Sequence, residues 1–113
     1  MHSNIIDFNS FSIGKLCVWY LVHSYLYYRL DDSVITDEEF DTLCKELLKR
    51  ISNGNDEIPN EFKELISKDA LDAGTGHSVV YSELPDRIVR IAYMFNNRRD
   101  YTGKQLILED WLK

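Results

Sequence analysis

Apolar residues recur at helical spacing over 11–30, with Leu16, Tyr20, His23, Tyr27 and Leu30 on one face and Trp19, Val22 and Leu26 on the face beside it. A stretch this apolar on adjoining faces predicts a helix contacted from two sides. Ser10 or Ser12 is suited to cap its start, and Asp31-Asp32-Ser33 brings turn-forming residues to its end. Thr36-Asp37-Glu38-Glu39 then has capping-box form: the Thr36 hydroxyl is placed to accept from the third amide while Glu39 reaches back to the amide of Thr36. Phe40, Leu43, Leu47 and Ile51 follow at spacings of three, four and four, with Cys44 and Leu48 widening the stripe, until Ser52-Asn53-Gly54 ends it. About five residues join the two helices, short enough to make them antiparallel neighbours.

Beyond the polar connector at 53–60, which holds Gly54 and Pro59, Phe62, Leu65, Ile66 and Leu71 predict a third helix over about 60–74. Thr75-Gly76-His77 reads as a loop and 78–81 as a brief extended segment. Ser82 is placed to cap a fourth helix carrying Leu84, Ile88, Ile91 and Phe95, ended by Asn96-Asn97. Thr102 with Gln105 offers another capping box for a last helix with Leu108, Trp111 and Leu112, although Gln105-Leu106-Ile107-Leu108 suits a strand equally. The expected fold is all-α: one small helical domain over 1–113, with four to five helices. It is built on an antiparallel hairpin at about 11–53, followed by a helical part at about 60–113.

Composition narrows the function classes. A chain of 113 residues fits one domain, and 44% hydrophobic content supplies a core. Nineteen acidic against thirteen basic residues leave a formal charge of −6, the wrong sign for a surface that tracks a phosphate backbone. No sequence-specific nucleic-acid binding is therefore expected. Cys17 and Cys44 form no paired motif and sit in apolar stretches, as reduced core thiols would. The first residues lack the basic and apolar parts of a signal peptide, and the longest apolar run is far too short to span a membrane. A cytoplasmic protein is expected. His2, His23 and His77 are scattered and no Cys/His spacing suits zinc. Ser78, Ser82 and Thr36 have no neighbouring base to activate them, so the chain reads as no enzyme, with no catalytic residues.

One segment carries a specific likeness. His23, Tyr25, Tyr27, Tyr28 and Asp31, followed across the turn by Asp37, Glu39, Asp41 and Leu43, reproduce an H-x-Y-x-Y-[YH] … [SP]-D-x-E-[YF]-D-x-L pattern. It resembles the N-terminal Ia subdomain of NAD-dependent DNA ligases, over about a quarter of the chain and with the helix-to-helix spacing intact. The resemblance implies a site for the nicotinamide mononucleotide (NMN) half of NAD, with Tyr27 stacking on the ring, Tyr28 beside it, and Asp37 and Asp41 as the acids. A flat pyridinium cation is well held by an aromatic face and nearby anions, which agrees with that use. Phe40 stands where those ligases mostly carry tyrosine, and the K-x-D-G motif that carries the adenylate is absent, so this chain alone cannot ligate DNA. Small stand-alone copies of such a hairpin are of the kind that phage and mobile-element genomes carry. The expected function is a non-catalytic binding module for NMN or NAD. The alternative is a small acidic protein, phage-encoded in type, that inhibits or adapts a host nucleic-acid enzyme or defence complex by protein contact.

Simpler readings stand beside each of these. The tyrosines can be helix–helix packing, Asp37 suits a helix start whatever it binds, and His23 fits a packing role. Gly74-Thr75-Gly76-His77 has neither the strand nor the Lys-Ser/Thr ending of a phosphate-binding loop. Arg87, Arg90, Arg98 and Arg99 are candidate partner contacts, or a solvated face balancing Asp86 and Asp100.

Overall fold

The computed structural model describes residues 6–32, 34–54 and 57–97. Four α-helices follow in order: α1 (Ile13–Arg29), α2 (Asp37–Ser52), α3 (Lys68–Ala73) and α4 (Asp86–Asn97). Among the described residues there is no strand. The all-helical expectation holds, and the last predicted helix at 102–112, with its strand alternative, lies outside the described residues.

The hairpin forms where its local chemistry dictates. Ser12 Oγ accepts from the amide of Lys15 at 3.1 Å and so starts α1. The helix stops because Asp31 takes a left-handed backbone (φ 52°), a conformation that Asp tolerates better than most residues. The capping box at α2 is complete: Glu39 N–H donates to Thr36 Oγ1 at 3.0 Å and Thr36 N–H to Glu39 Oε1 at 2.8 Å.

Helix α1 is the central rod. Its residues from Leu16 to Ser24 are buried all round, because α2 covers one side and α4 another. Leu43, Cys44 and Leu47 of α2 and Ile88, Ile91, Ala92 and Phe95 of α4 fill the two seams. At its N-terminal end the 3-10 turn Phe8–Ser10 folds back, so that Phe8, Phe11 and Trp19 meet edge-on at centroid distances of 5.2–5.9 Å. Arg50, paired with Glu46 at 2.8 Å, donates to the carbonyl of Asn9 at 2.8 Å and ties that turn to α2. Arg50 and Lys49 together hold the Glu46 carboxyl below its usual range against the opposing effect of burial.

Three predicted elements are corrected. The helix over 60–74 is two pieces, a 3-10 turn at Asn60–Phe62 and the short α3. Ser67 breaks it: its backbone is extended (φ −110°, ψ 146°) and its side chain accepts from Ala70 N at 3.1 Å, so it caps a new helix instead of continuing one. Phe62, Leu65 and Ile66 are buried all the same, which is why their spacing looked helical. The segment at 78–81 has no partner strand among the described residues and leads into a 3-10 turn at Tyr81–Glu83. Ser82 lies in that turn and does not cap α4, which starts after Pro85; the residue before a proline is driven to extended backbone, as Leu84 is (ψ 140°).

Candidate functional site

The C-terminal end of α1 is as open as its other end is closed. Tyr27 and Tyr28 occupy the last turn of α1 and keep 51% and 37% of their surface exposed. Their rings meet edge-on at 4.8 Å. Together with the 34–36 turn, Asp37, Phe40 and Gly74 they enclose a cleft of about 200 Å³, with His23 also in its lining. Two of the four residues that carry the proposed ligand contact on α1, Tyr27 and Tyr28, therefore face the same hollow as Asp37 on α2.

Asp41 is placed differently. It does not line the hollow; its carboxylate pairs with Lys45 at 2.9 Å and lies behind Gly74, 2.8 Å from where a Cβ on that glycine would stand. Only a glycine fits there, since its φ of 71° is left-handed and the space is already taken by a carboxylate. Phe40 stacks on Tyr20, centroids 5.7 Å apart and planes 22° from parallel, and presents its ring to the cleft as a wall.

The third wall is Gly74, which opens the segment 74–77 that the sequence marks only as a loop. Tyr20 Oη donates to the carbonyl of Thr75 at 2.8 Å, Tyr81 Oη donates to the carbonyl of Gly76 at 2.6 Å, and the Tyr28 hydroxyl shares a 2.7 Å bond with Thr75 Oγ1. Burial pushes the Tyr20 and Tyr81 phenols well above their ordinary range, which keeps them as neutral donors for these bonds. The loop is thereby clamped to the hairpin across sequence separations of 55 and 47 residues. His23, Val34, Ile35, Thr36 and Gly74 line the cleft without having been singled out as ligand contacts. The signals were present for three of them, since apolar Val34-Ile35 in a polar turn must face something, and Gly74 ends a helix.

His23 is buried between Trp19 (5.0 Å) and Phe95 (5.7 Å), the surroundings of a packing histidine. Among the candidate partner contacts, Arg87 pairs with Glu61 at 2.8 Å and lies over the ring of Phe62 at 5.4 Å. Arg90 is exposed on α4, and Arg98 and Arg99 lie outside the described residues. Among the described residues no group of three or more His, Cys, Asp or Glu side chains could hold a metal ion, and no helix is long and apolar enough to cross a membrane.

No protein-family model matches the chain, and neither a curated protein nor a solved structure matches it. The likeness to the ligase hairpin therefore rests on the chain's own residues.

Proposed function

We propose that the chain is a non-catalytic binding module related to the NAD-dependent ligase Ia hairpin, and that its cleft receives the nicotinamide end of NMN or NAD. The observation that carries this reading is the meeting of Tyr27, Tyr28 and Asp37 on one hollow of about 200 Å³. A pyridinium cation gains there from an aromatic face and from a carboxylate at the same time. Phe40 supplies a further apolar wall, and the Asp37 carboxylate is within the reach of ribose hydroxyls or the carboxamide. Asp41 acts at one remove, by holding the Gly74 side of the hollow in place.

Isothermal titration of NMN and of NAD into the protein tests this. Binding is expected in the micromolar to millimolar range and is expected to weaken about tenfold or more in Tyr27→Ala and in Asp37→Asn. Absence of heat up to millimolar ligand overturns it.

A second reading, contact with a protein partner, is supported by a row of rings that leaves the cleft along the surface. Tyr28 neighbours Tyr81 at 6.5 Å, Tyr81 neighbours Tyr25 at 6.0 Å, and Tyr25 neighbours the exposed Tyr93 at 6.1 Å. Tyrosine-rich surfaces of this kind are common at interface centres. Loss of a partner's co-purification in Tyr93→Ala, with nucleotide binding unchanged, separates this reading from the first.

A further inference from the structure

We infer that the cleft selects a cationic pyridinium nucleoside without its phosphate, nicotinamide riboside in type, over the corresponding 5′-phosphate. This rests on the nicotinamide reading above and sharpens it. Three independent features of the hollow point the same way.

The first is charge. Among the described residues that line the cleft there is no lysine or arginine, and Asp37 contributes an anion. Lys45, one turn beyond Asp41 on α2, is paired with it at 2.9 Å, so that pair brings no net positive charge. A pyridinium is attracted by this arrangement, and a phosphate dianion is repelled.

The second is the state of the two places where a backbone could grip a phosphate. The N-terminus of α2 opens on the cleft, but the amides of Thr36 and Glu39 are already bonded to the capping box, and Asp37, Glu38 and Glu39 crowd the first turn with carboxylates. Three amides of the glycine loop are committed in the same way. Gly74 N–H donates to Leu71 O at 3.1 Å, Thr75 N–H to Ala70 O at 3.0 Å and His77 N–H to Thr75 Oγ1 at 3.0 Å. The Thr75 hydroxyl is occupied by Tyr28 as well. Amides directed into their own turns are lost to an anion-binding nest, and the carboxylates of the α2 first turn oppose an anion there.

The third is size. A hollow of about 200 Å³ is smaller than ordinary ligand pockets, which hold roughly 300–1,000 Å³. It takes one ring and part of a sugar, and leaves a phosphate at the rim beside Asp37.

The test compares nicotinamide riboside with NMN by calorimetry at pH 8, in 20 mM and in 500 mM salt. The riboside is expected to bind about tenfold tighter at low salt, with the ratio falling at high salt as screening shortens the reach of the carboxylates. Asp37→Asn, a neutral replacement at an exposed position outside the core, should bring the two affinities closer together. Equal or tighter binding of NMN at low salt overturns the inference and leaves the nicotinamide reading standing. If neither compound binds up to millimolar concentration, that reading fails and the inference falls with it.

Discussion

The two ends of α1 both carry aromatic clusters, and they behave in opposite ways. At the N-terminal end Phe8, Phe11 and Trp19 collapse onto one another and are buried. At the C-terminal end Tyr27 and Tyr28 stand open around a hollow. The difference lies in the polar ends of the rings. Phenylalanine gains only from leaving water, so the first cluster closes. The tyrosines Tyr20, Tyr28 and Tyr81 each carry a hydroxyl satisfied by the 75–76 segment, which spaces the rings by hydrogen bonds and leaves room between them. One end of the rod is built for stability, and the other is a frame.

Four perturbations break or sharpen that contrast. Trp19→Ala removes the centre of the closed cluster and is expected to lower unfolding free energy by about 3–5 kcal/mol, read from urea denaturation. Gly76→Ala strikes the frame: a Cβ there meets the Ser24 side chain, with Ser24 Cβ at 2.6 Å, and the Tyr81 hydroxyl at 3.3 Å. Overpacking of that kind costs about 1–3 kcal/mol and should displace the 74–77 segment and with it Gly74, so ligand binding is expected to fall with stability.

The thiols between the two ends give a pH test. Burial, which dominates for both, pushes Cys17 and Cys44 from an ordinary 9.0 up to about 12, with Asp41 adding to the effect at Cys44. The unfolded chain loses these protons first, so stability conferred by the neutral thiols is complete below about pH 9 and declines as pH rises from there towards 12. The expected loss is about 1 kcal/mol per thiol by pH 10, visible as a falling melting temperature that is reduced in Cys44→Ala relative to its own value at pH 8. Native protein should also resist labelling by an aromatic disulfide at pH 8. The smallest effect on stability is expected for Tyr27→Ala. With half its surface in water, the side chain should change unfolding free energy by no more than about 0.5 kcal/mol. A large change in stability there would mean that the open end is also structural.

The hairpin was legible because its signals are local. Ser12, Thr36 and Glu39 act on amides three residues away, so helix limits at 13–29 and 37–52 follow closely the apolar periods at 11–30 and 36–52. The alignment of Tyr27, Tyr28 and Asp37 was legible for a similar reason, since a short turn between antiparallel helices leaves their facing ends little freedom. The 60–74 segment misled because Phe62, Leu65, Ile66 and Leu71 are all buried, and spacing reports burial before it reports helix. The surroundings of Asp41 were legible only in part: Lys45 sits one turn on, but Gly74 is thirty-three positions away and meets it only after folding.

What the chain's linear order determines by itself is the pair of capped rods, their antiparallel setting and the aromatic and acidic character of the end where they meet. These depend on contacts between near neighbours, whose geometry the backbone enforces. What tertiary structure alone decided is that this end stays hollow. Closing the third wall required a glycine-bearing loop to come back across 55 residues and satisfy phenol hydroxyls on a helix it does not adjoin in sequence. No local pattern encodes that return, because the bonds that stabilise it exist only once α1, α2 and α4 have packed.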